Sequence, residues 1–165
     1  MKTYKGKYKP KNIKKYKGDY TSITYRSLWE RQTFRWIEDQ PHIVEWNSEE
    51  VIIPYRCQTD GKMHRYFIDV YFKTKGGRKY LIEIKPDKQT RPPTGSRRTK
   101  RYITESLTYV KNQCKWEAAT LFAEQNGCTF EIWTEHKLEG LGIKLLRSQL
   151  PKSKRPLKKT KTNTK

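Results

Sequence analysis

Hydrophobic and polar positions alternate most regularly over Arg65-Tyr-Phe-Ile-Asp-Val-Tyr-Phe72 and again over Tyr80-Leu-Ile-Glu-Ile-Lys85. A period of two carried by β-branched and aromatic residues predicts two strands. In the second, Leu81, Glu83 and Lys85 share one face, and Tyr80, Ile82 and Ile84 share the other. In the first, Asp69 shares a face with Phe67 and Tyr71. The turn between them decides the register. A two-residue Gly76-Gly77 turn would set Asp69 opposite Ile84 and throw Glu83 onto the other face. A three-residue loop, Lys75-Gly76-Gly77 with a glycine at positive φ, sets Asp69 directly opposite Glu83, and this is the expected register.

The flanking pattern predicts an α+β domain. Ser27-Leu-Trp-Glu30 fits a capping box, and the helix it opens runs to about Asp39, because Pro41 restricts Gln40. Phe34 and Ile37 follow Glu30 at i+4 and i+7, so Glu30 begins a stripe that faces the sheet. From this helix alone Glu30 reads equally as a cap and as a site residue. His42 to Trp46 and Val51 to Arg56 read as strands, with turns at residues 47–50 and at Thr59-Asp60-Gly61, giving four antiparallel strands in succession. Pro86 ends the central hairpin and opens a long irregular loop. A helix is expected from Arg97 to Lys111, then a second one capped by Asn112 and ended by Gly127. Thr129 to Thr134 is a fifth strand, parallel to its neighbour because helices cross over before it. His136 to Lys144 reads as a short helix or turn.

Charge sharpens this picture. The 165 residues carry a formal net charge of +20. Residues 1–20, 86–101 and 151–165 contribute +7, +5 and +7, which is 19 of the 20, so the remaining body is nearly neutral. A balanced body with basic extensions points to a polyanion, most simply nucleic acid. Arg91, Arg97, Arg98, Lys100 and Arg101 are the candidate DNA contacts of the loop and the helix it enters. Composition alone reads residues 1–20 as a disordered arm, residues 21–146 as the domain and residues 147–165 as a disordered basic tail. The three cysteines, Cys57, Cys114 and Cys128, form no C-x-x-C pair and no zinc spacing with His42, His64 or His136. They read as reduced residues of a soluble protein that is not secreted, and no apolar run approaches a membrane span.

The hairpin then carries the chemistry. Acidic residues in strands are often solvent-facing, but here Pro86 places Asp69, Glu83 and Lys85 at a sheet end that a substrate can reach. Two carboxylates this close repel unless a cation lies between them. Oxygen donors without histidine or thiolate favour Mg²⁺ or Mn²⁺ over zinc.

A helical Glu30, then Asp69, then Glu83-Ile-Lys85, then helices and a strand, resembles the PD-(D/E)xK nuclease superfamily. Pro10-Lys-Asn-Ile13, Ile23-Thr-Tyr-Arg-Ser27, Val51-Ile-Ile-Pro-Tyr55, Arg65-Tyr-Phe67, Ile82-Glu-Ile-Lys-Pro86, Pro92-Pro93 and Lys115-Trp116 with Ala118-Ala119 resemble the head completion nucleases of T-even-type bacteriophages. The resemblance covers about Lys9 to Lys144 and implies that the N-terminal arm is partly ordered. Ile68, not proline, precedes Asp69. The resemblance implies a mixed sheet flanked by helices, and a metal held by Asp69 and Glu83 with the Ile84 carbonyl as a further ligand. It also implies that Lys85 orients or activates water, that Glu30 helps bind or polarise the metal or its water, and that Lys115 contacts phosphate. The activity implied is a DNA nuclease of phage head maturation in the infected host or on the virion, with head, portal or neck proteins as partners. A DNA-binding connector without catalysis and a transposase-type strand-cutting endonuclease are the alternatives.

Overall fold

The computed structural model describes residues 4–145; the tail expected over 147–165 lies outside the described residues. Its centre is a four-stranded mixed sheet in the order β3-β6-β7-β8. These strands are β3 (Ile43–Asn47), β6 (Val70–Thr74), β7 (Lys79–Ile84) and β8 (Cys128–Trp133). β6 and β7 are antiparallel, and β7 and β8 are parallel. Helix α2 (Lys100–Gln125) makes the crossover that a parallel pair requires. Among the described residues no helix is long and apolar enough to cross a membrane.

β7 is covered on both faces, and its side chains sort by parity into two cores. Ile82 and Ile84 join Val70, Phe72 and Trp133 beneath helix α1 (Leu28–Asp39), which contributes Trp29, Phe34 and Ile37. Helix α3 (Glu135–Gly140) closes the same core with Leu138. Leu81 faces the opposite way, towards Trp116, Ala119 and Ala123 of α2. A separate antiparallel ribbon, β4 (Ile52–Arg56) with β5 (Met63–Phe67), completes that second core through Ile53, Tyr55 and Tyr66.

Four expectations change. The strand foreseen over residues 65–72 is two strands in different sheets, broken at Ile68 and Asp69. The meander is lost with it, because β3 pairs with β6 and not with β4. The two later helices are one, capped by the Thr99 hydroxyl, which accepts from the Tyr102 amide at 3.2 Å. Asn112 is buried inside it, since the apolar positions on either side stay in helical phase and leave no reason to break.

The fourth concerns the lysine-rich start. Residues 4–20 are packed on the domain: β1 (Gly6–Lys7) pairs with β2 (Thr24–Tyr25), and Tyr8 and Tyr16 are buried against Trp46. Lys15 sends its ammonium to the end of α1, donating to the carbonyls of Ile37, Glu38 and Gln40 at 3.0, 3.1 and 2.8 Å. A helix leaves its last carbonyls without partners, and a buried lysine supplies three donors to them. Average composition cannot register that use of a lysine.

Candidate active site

The β6–β7 turn is the three-residue loop Lys75-Gly76-Gly77, with Gly77 at φ +84° and the Thr74 amide bonded to the Arg78 carbonyl at 2.9 Å. Val70 then faces Ile82, and the same ladder carried two steps further would set Asp69 opposite Glu83 and Ile68 opposite Ile84. Since residues 74 and 78 are a hydrogen-bonded pair, alternation makes 68 and 84 another. Position 69 with 83 is the close, non-hydrogen-bonded kind, with Cα atoms about 4.5 Å apart in regular sheet.

The chain departs from the ladder at that point. The Ile68 amide bonds to the Val51 carbonyl and the Ile68 carbonyl accepts from the Glu49 amide, both at 3.0 Å. Ile84 therefore loses both of its ladder partners. Its N–H donates to Asp69 Oδ2 at 2.8 Å instead, and its carbonyl is released. The bend that ends the strand thus fixes the carboxylate and frees a backbone oxygen beside it.

Glu83 is 2% exposed, and each of its oxygens has one partner. Its Oε2 accepts from the Tyr66 hydroxyl at 2.7 Å, and its Oε1 pairs with Lys85 Nζ at 2.9 Å. Burial, then Glu83, then Glu30 push the Asp69 carboxyl well above the ordinary carboxylate range. Burial also raises Glu30, against the pull of the Arg26 amide and the Ser27 hydroxyl. Burial disfavours the Lys85 ammonium, but Glu83, helped by Asp69 and Glu30, outweighs it and leaves the pKa raised. Tyr66 is likewise raised, by burial first and then by Glu83.

Glu30 proves to be both a cap and a neighbour of the site. Its Oε2 accepts from the Arg26 amide at 2.8 Å and its Oε1 from the Ser27 hydroxyl at 3.1 Å, while Ser27 Oγ accepts from the Glu30 amide. The oxygens of Glu30, Asp69 and Glu83 do not all come within 4.8 Å of one another. Among the described residues, that closeness is reached by Cys57, Asp60 and His64, a grouping that a search for zinc spacings between cysteine and histidine passes over.

Lys115, on α2, lies half-buried with Nζ 5.3 Å from the Tyr66 ring centre and 6.0 Å from that of Tyr55. Burial lowers its pKa while Glu83 pulls the other way. Arg91, Arg97, Arg98, Lys100 and Arg101 are all exposed; Arg91 pairs with Asp87 at 2.7 Å and Arg101 with Glu105 at 3.0 Å. Two residues escaped the sequence reading. Tyr66 sits in a strand of another sheet, so nothing in its period links it to Glu83. Arg26 holds Glu30 through its amide and pairs with Glu49, its Nη2 3.3 Å from Oε2, in front of the acidic cluster. Both lie inside motifs singled out above, without a role.

Residues 40–135 match the family described as the N-terminal part of TnsA-like endonucleases. The chain belongs to this nuclease family. Its core is of the PD-(D/E)xK type, and the mixed α+β sheet agrees with that. The head completion nuclease of Enterobacteria phage T4 is 45% identical over 146 residues, which span 86% of this chain and 97% of that protein. Asp69, Glu83, Lys85 and Lys115 fall inside the segment matched by the endonuclease family; Glu30 precedes it.

The donors fit a hard divalent cation, as nuclease families of this type use. Asp69 Oδ1 has no hydrogen-bond donor among the described residues, and the Ile84 carbonyl has been released. Burial, and then the acidic neighbours, make Asp69 costly to ionise until a cation is present. All of these donors are oxygens, the preference of Mg²⁺ and Mn²⁺.

Proposed function

We propose that this chain is a Mg²⁺- or Mn²⁺-dependent deoxyribonuclease that cuts phosphodiester bonds of DNA during completion of phage heads, before tail attachment. The observation that carries the chemistry is Asp69 bonded to the Ile84 amide at 2.8 Å, one residue beyond the last ladder pair of Val70 with Ile82, with Lys85 tied to Glu83 at 2.9 Å. The role in head completion rests on the similarity to the T4 protein of that name. Head, portal or neck proteins in the infected host, or on the virion, are the partners that this role implies.

Asp69, Glu83 and the Ile84 carbonyl would hold the cation, with Glu30 behind them. When bound, it would supply a more acidic water and a counter-charge for the pentavalent phosphorus. Lys85, whose ammonium Glu83 favours against the cost of burial, would orient the attacking water or a phosphate oxygen. Lys115 adds a second cation within a site walled by Tyr55 and Tyr66. The basic loop after Pro86 would follow the DNA backbone into the site.

The test is incubation of full-length protein with supercoiled plasmid in Mg²⁺, in Mn²⁺ and in chelator. Nicked or linear product in either metal alone is expected. Cutting that survives chelation overturns the metal requirement. DNA that is bound but uncut in every metal leaves a connector in place of an enzyme.

A further inference from the structure

The turn between β4 and β5 holds a second donor set of different chemistry. We propose that Cys57, Asp60 and His64 form a binding site for a borderline-soft divalent cation, Zn²⁺ foremost, that clasps the β4–β5 ribbon. Cys57 Sγ, an Asp60 oxygen and a His64 ring nitrogen all lie within 4.8 Å of one another. Thiolate, imidazole and carboxylate together are a zinc donor set, whereas the Asp69 site offers oxygens alone.

The ribbon holds these groups firmly. The Cys57 amide bonds to the Lys62 carbonyl at 2.9 Å, and the Gly61 amide to the Cys57 carbonyl at 2.8 Å. Gly61, at φ +68°, allows this tight reversal. Asp60 Oδ1 accepts from the Lys62 amide at 2.9 Å, leaving Oδ2 turned to His64 Nε2 at 2.7 Å. The His64 ring is stacked on Tyr55, with centroids 5.6 Å apart and planes 30° apart. The stack fixes the plane of the imidazole beside Cys57 and Asp60. Thr59 Oγ1 lies 2.8 Å from Cys57 Sγ and lowers the thiol pKa, favouring the thiolate that binds metal.

The sulfur comes from the buried side of the turn, and the carboxylate and imidazole come from its more exposed side. With metal–ligand distances of about 2.0–2.3 Å, donors in a tetrahedral site stand roughly 3.2–3.7 Å apart. No pair is wider than 4.8 Å, so closing needs at most about 1–1.6 Å, and Asp60 and His64, now 2.7 Å apart, must open by about 0.5–1 Å, both within reach of a short loop whose tip is exposed. The thiol proton passes to solvent as the cation takes its place, and His64 binds as a neutral imidazole with its one ring proton on the nitrogen away from the cation. Water completes the fourth position. The site's role is structural: it ties the two ends of a ribbon whose Tyr66 hydroxyl holds Glu83. This inference does not depend on the nuclease reading.

Co²⁺ is the probe, titrated into reduced, metal-free full-length protein carrying Asp69→Ala, so that the oxygen-only set is disabled. One equivalent should give thiolate-to-cobalt charge-transfer absorption and the visible bands of a tetrahedral ion, both displaced by one equivalent of Zn²⁺. Cys57→Ser should abolish the charge-transfer band. Asp60→Asn and His64→Gln change exposed or half-exposed groups and should keep the fold by circular dichroism while weakening Co²⁺ binding about tenfold or more. No charge-transfer band at micromolar Co²⁺ overturns the proposal and leaves an Asp60–His64 ion pair beside a buried thiol. So does a band that persists in Cys57→Ser, or binding unchanged in both surface variants.

Discussion

Asp69 owes its position to a strand that gives up its ladder, and its energetics follow from that position. Burial, Glu83 and Glu30 raise its pKa, so in the metal-free protein the ionised form is the strained one. For an acid raised on folding, the stabilising contribution is complete below the unfolded pKa and is lost as pH climbs through the folded value. Metal-free protein should therefore lose stability as pH rises above the ordinary carboxylate range, and a divalent cation should restore it. Asp69→Asn should lessen this dependence, leaving the part that Glu30 contributes, and raise metal-free stability at neutral pH by about 0.5–2 kcal/mol, while ending cleavage. Thermal unfolding across pH, with and without Mg²⁺, reads both effects. Tyr66→Phe removes one of the two bonds that fix Glu83 but keeps the ring that packs beside Lys115. It should lower the cleavage rate with little change in the concentration of DNA needed, as steady-state kinetics would show. The carboxylates and Lys85 were legible in the sequence because period and turn length together fix a register. Tyr66 was not, because a hydrogen bond between two sheets leaves no trace in the period of either.

At the scale of elements, the sequence was most informative where geometry is local. The Ser27 cap of α1, the Lys75-Gly76-Gly77 turn and the parallel last strand all stand in the structure, though Glu30 reaches the Arg26 amide and not the Ser27 amide that a full capping box would use. It was least informative where a contact is long-range. No pattern near residues 63–67 says that they leave the main sheet, and Asn112 invites a cap that a continuous apolar face overrides. The packed N-terminal segment is the clearest case. Lys15 lies among lysines, yet its stem is buried and its ammonium meets three carbonyls of the α1 end. Lys15→Met keeps the stem and removes the donors, so it should destabilise the protein by about 1–3 kcal/mol, read by denaturant unfolding. A change at exposed Lys14 should cost almost nothing, and equal effects at the two positions would contradict the packing described here.

At the scale of the whole molecule, charge and chemistry occupy different parts of the chain. Residues 151–165 carry seven basic residues, no acid and none of the groups placed in the site. Each phosphate contact they make should add about one unit to the slope of log affinity against log salt. Deleting them should flatten that slope and raise the DNA concentration needed for cutting, while the rate at saturating DNA stays within about twofold. Cleavage against DNA concentration at two salt levels separates these effects, and identical curves would make the tail irrelevant to DNA. The central claim is that Asp69, Glu83 and Lys85 act as one unit on a metal-bound phosphodiester. The measurement that tests it most directly is plasmid cleavage in Mg²⁺ by Asp69→Ala, Glu83→Ala, Lys85→Ala and the Asp69/Lys85 double variant, each shown folded by circular dichroism. Members of one catalytic unit give non-additive losses, so each single change should remove nearly all activity and the double should lose little more. Near-normal cutting by Glu83→Ala, or losses at Asp69 and Lys85 that multiply in the double variant, would contradict the account.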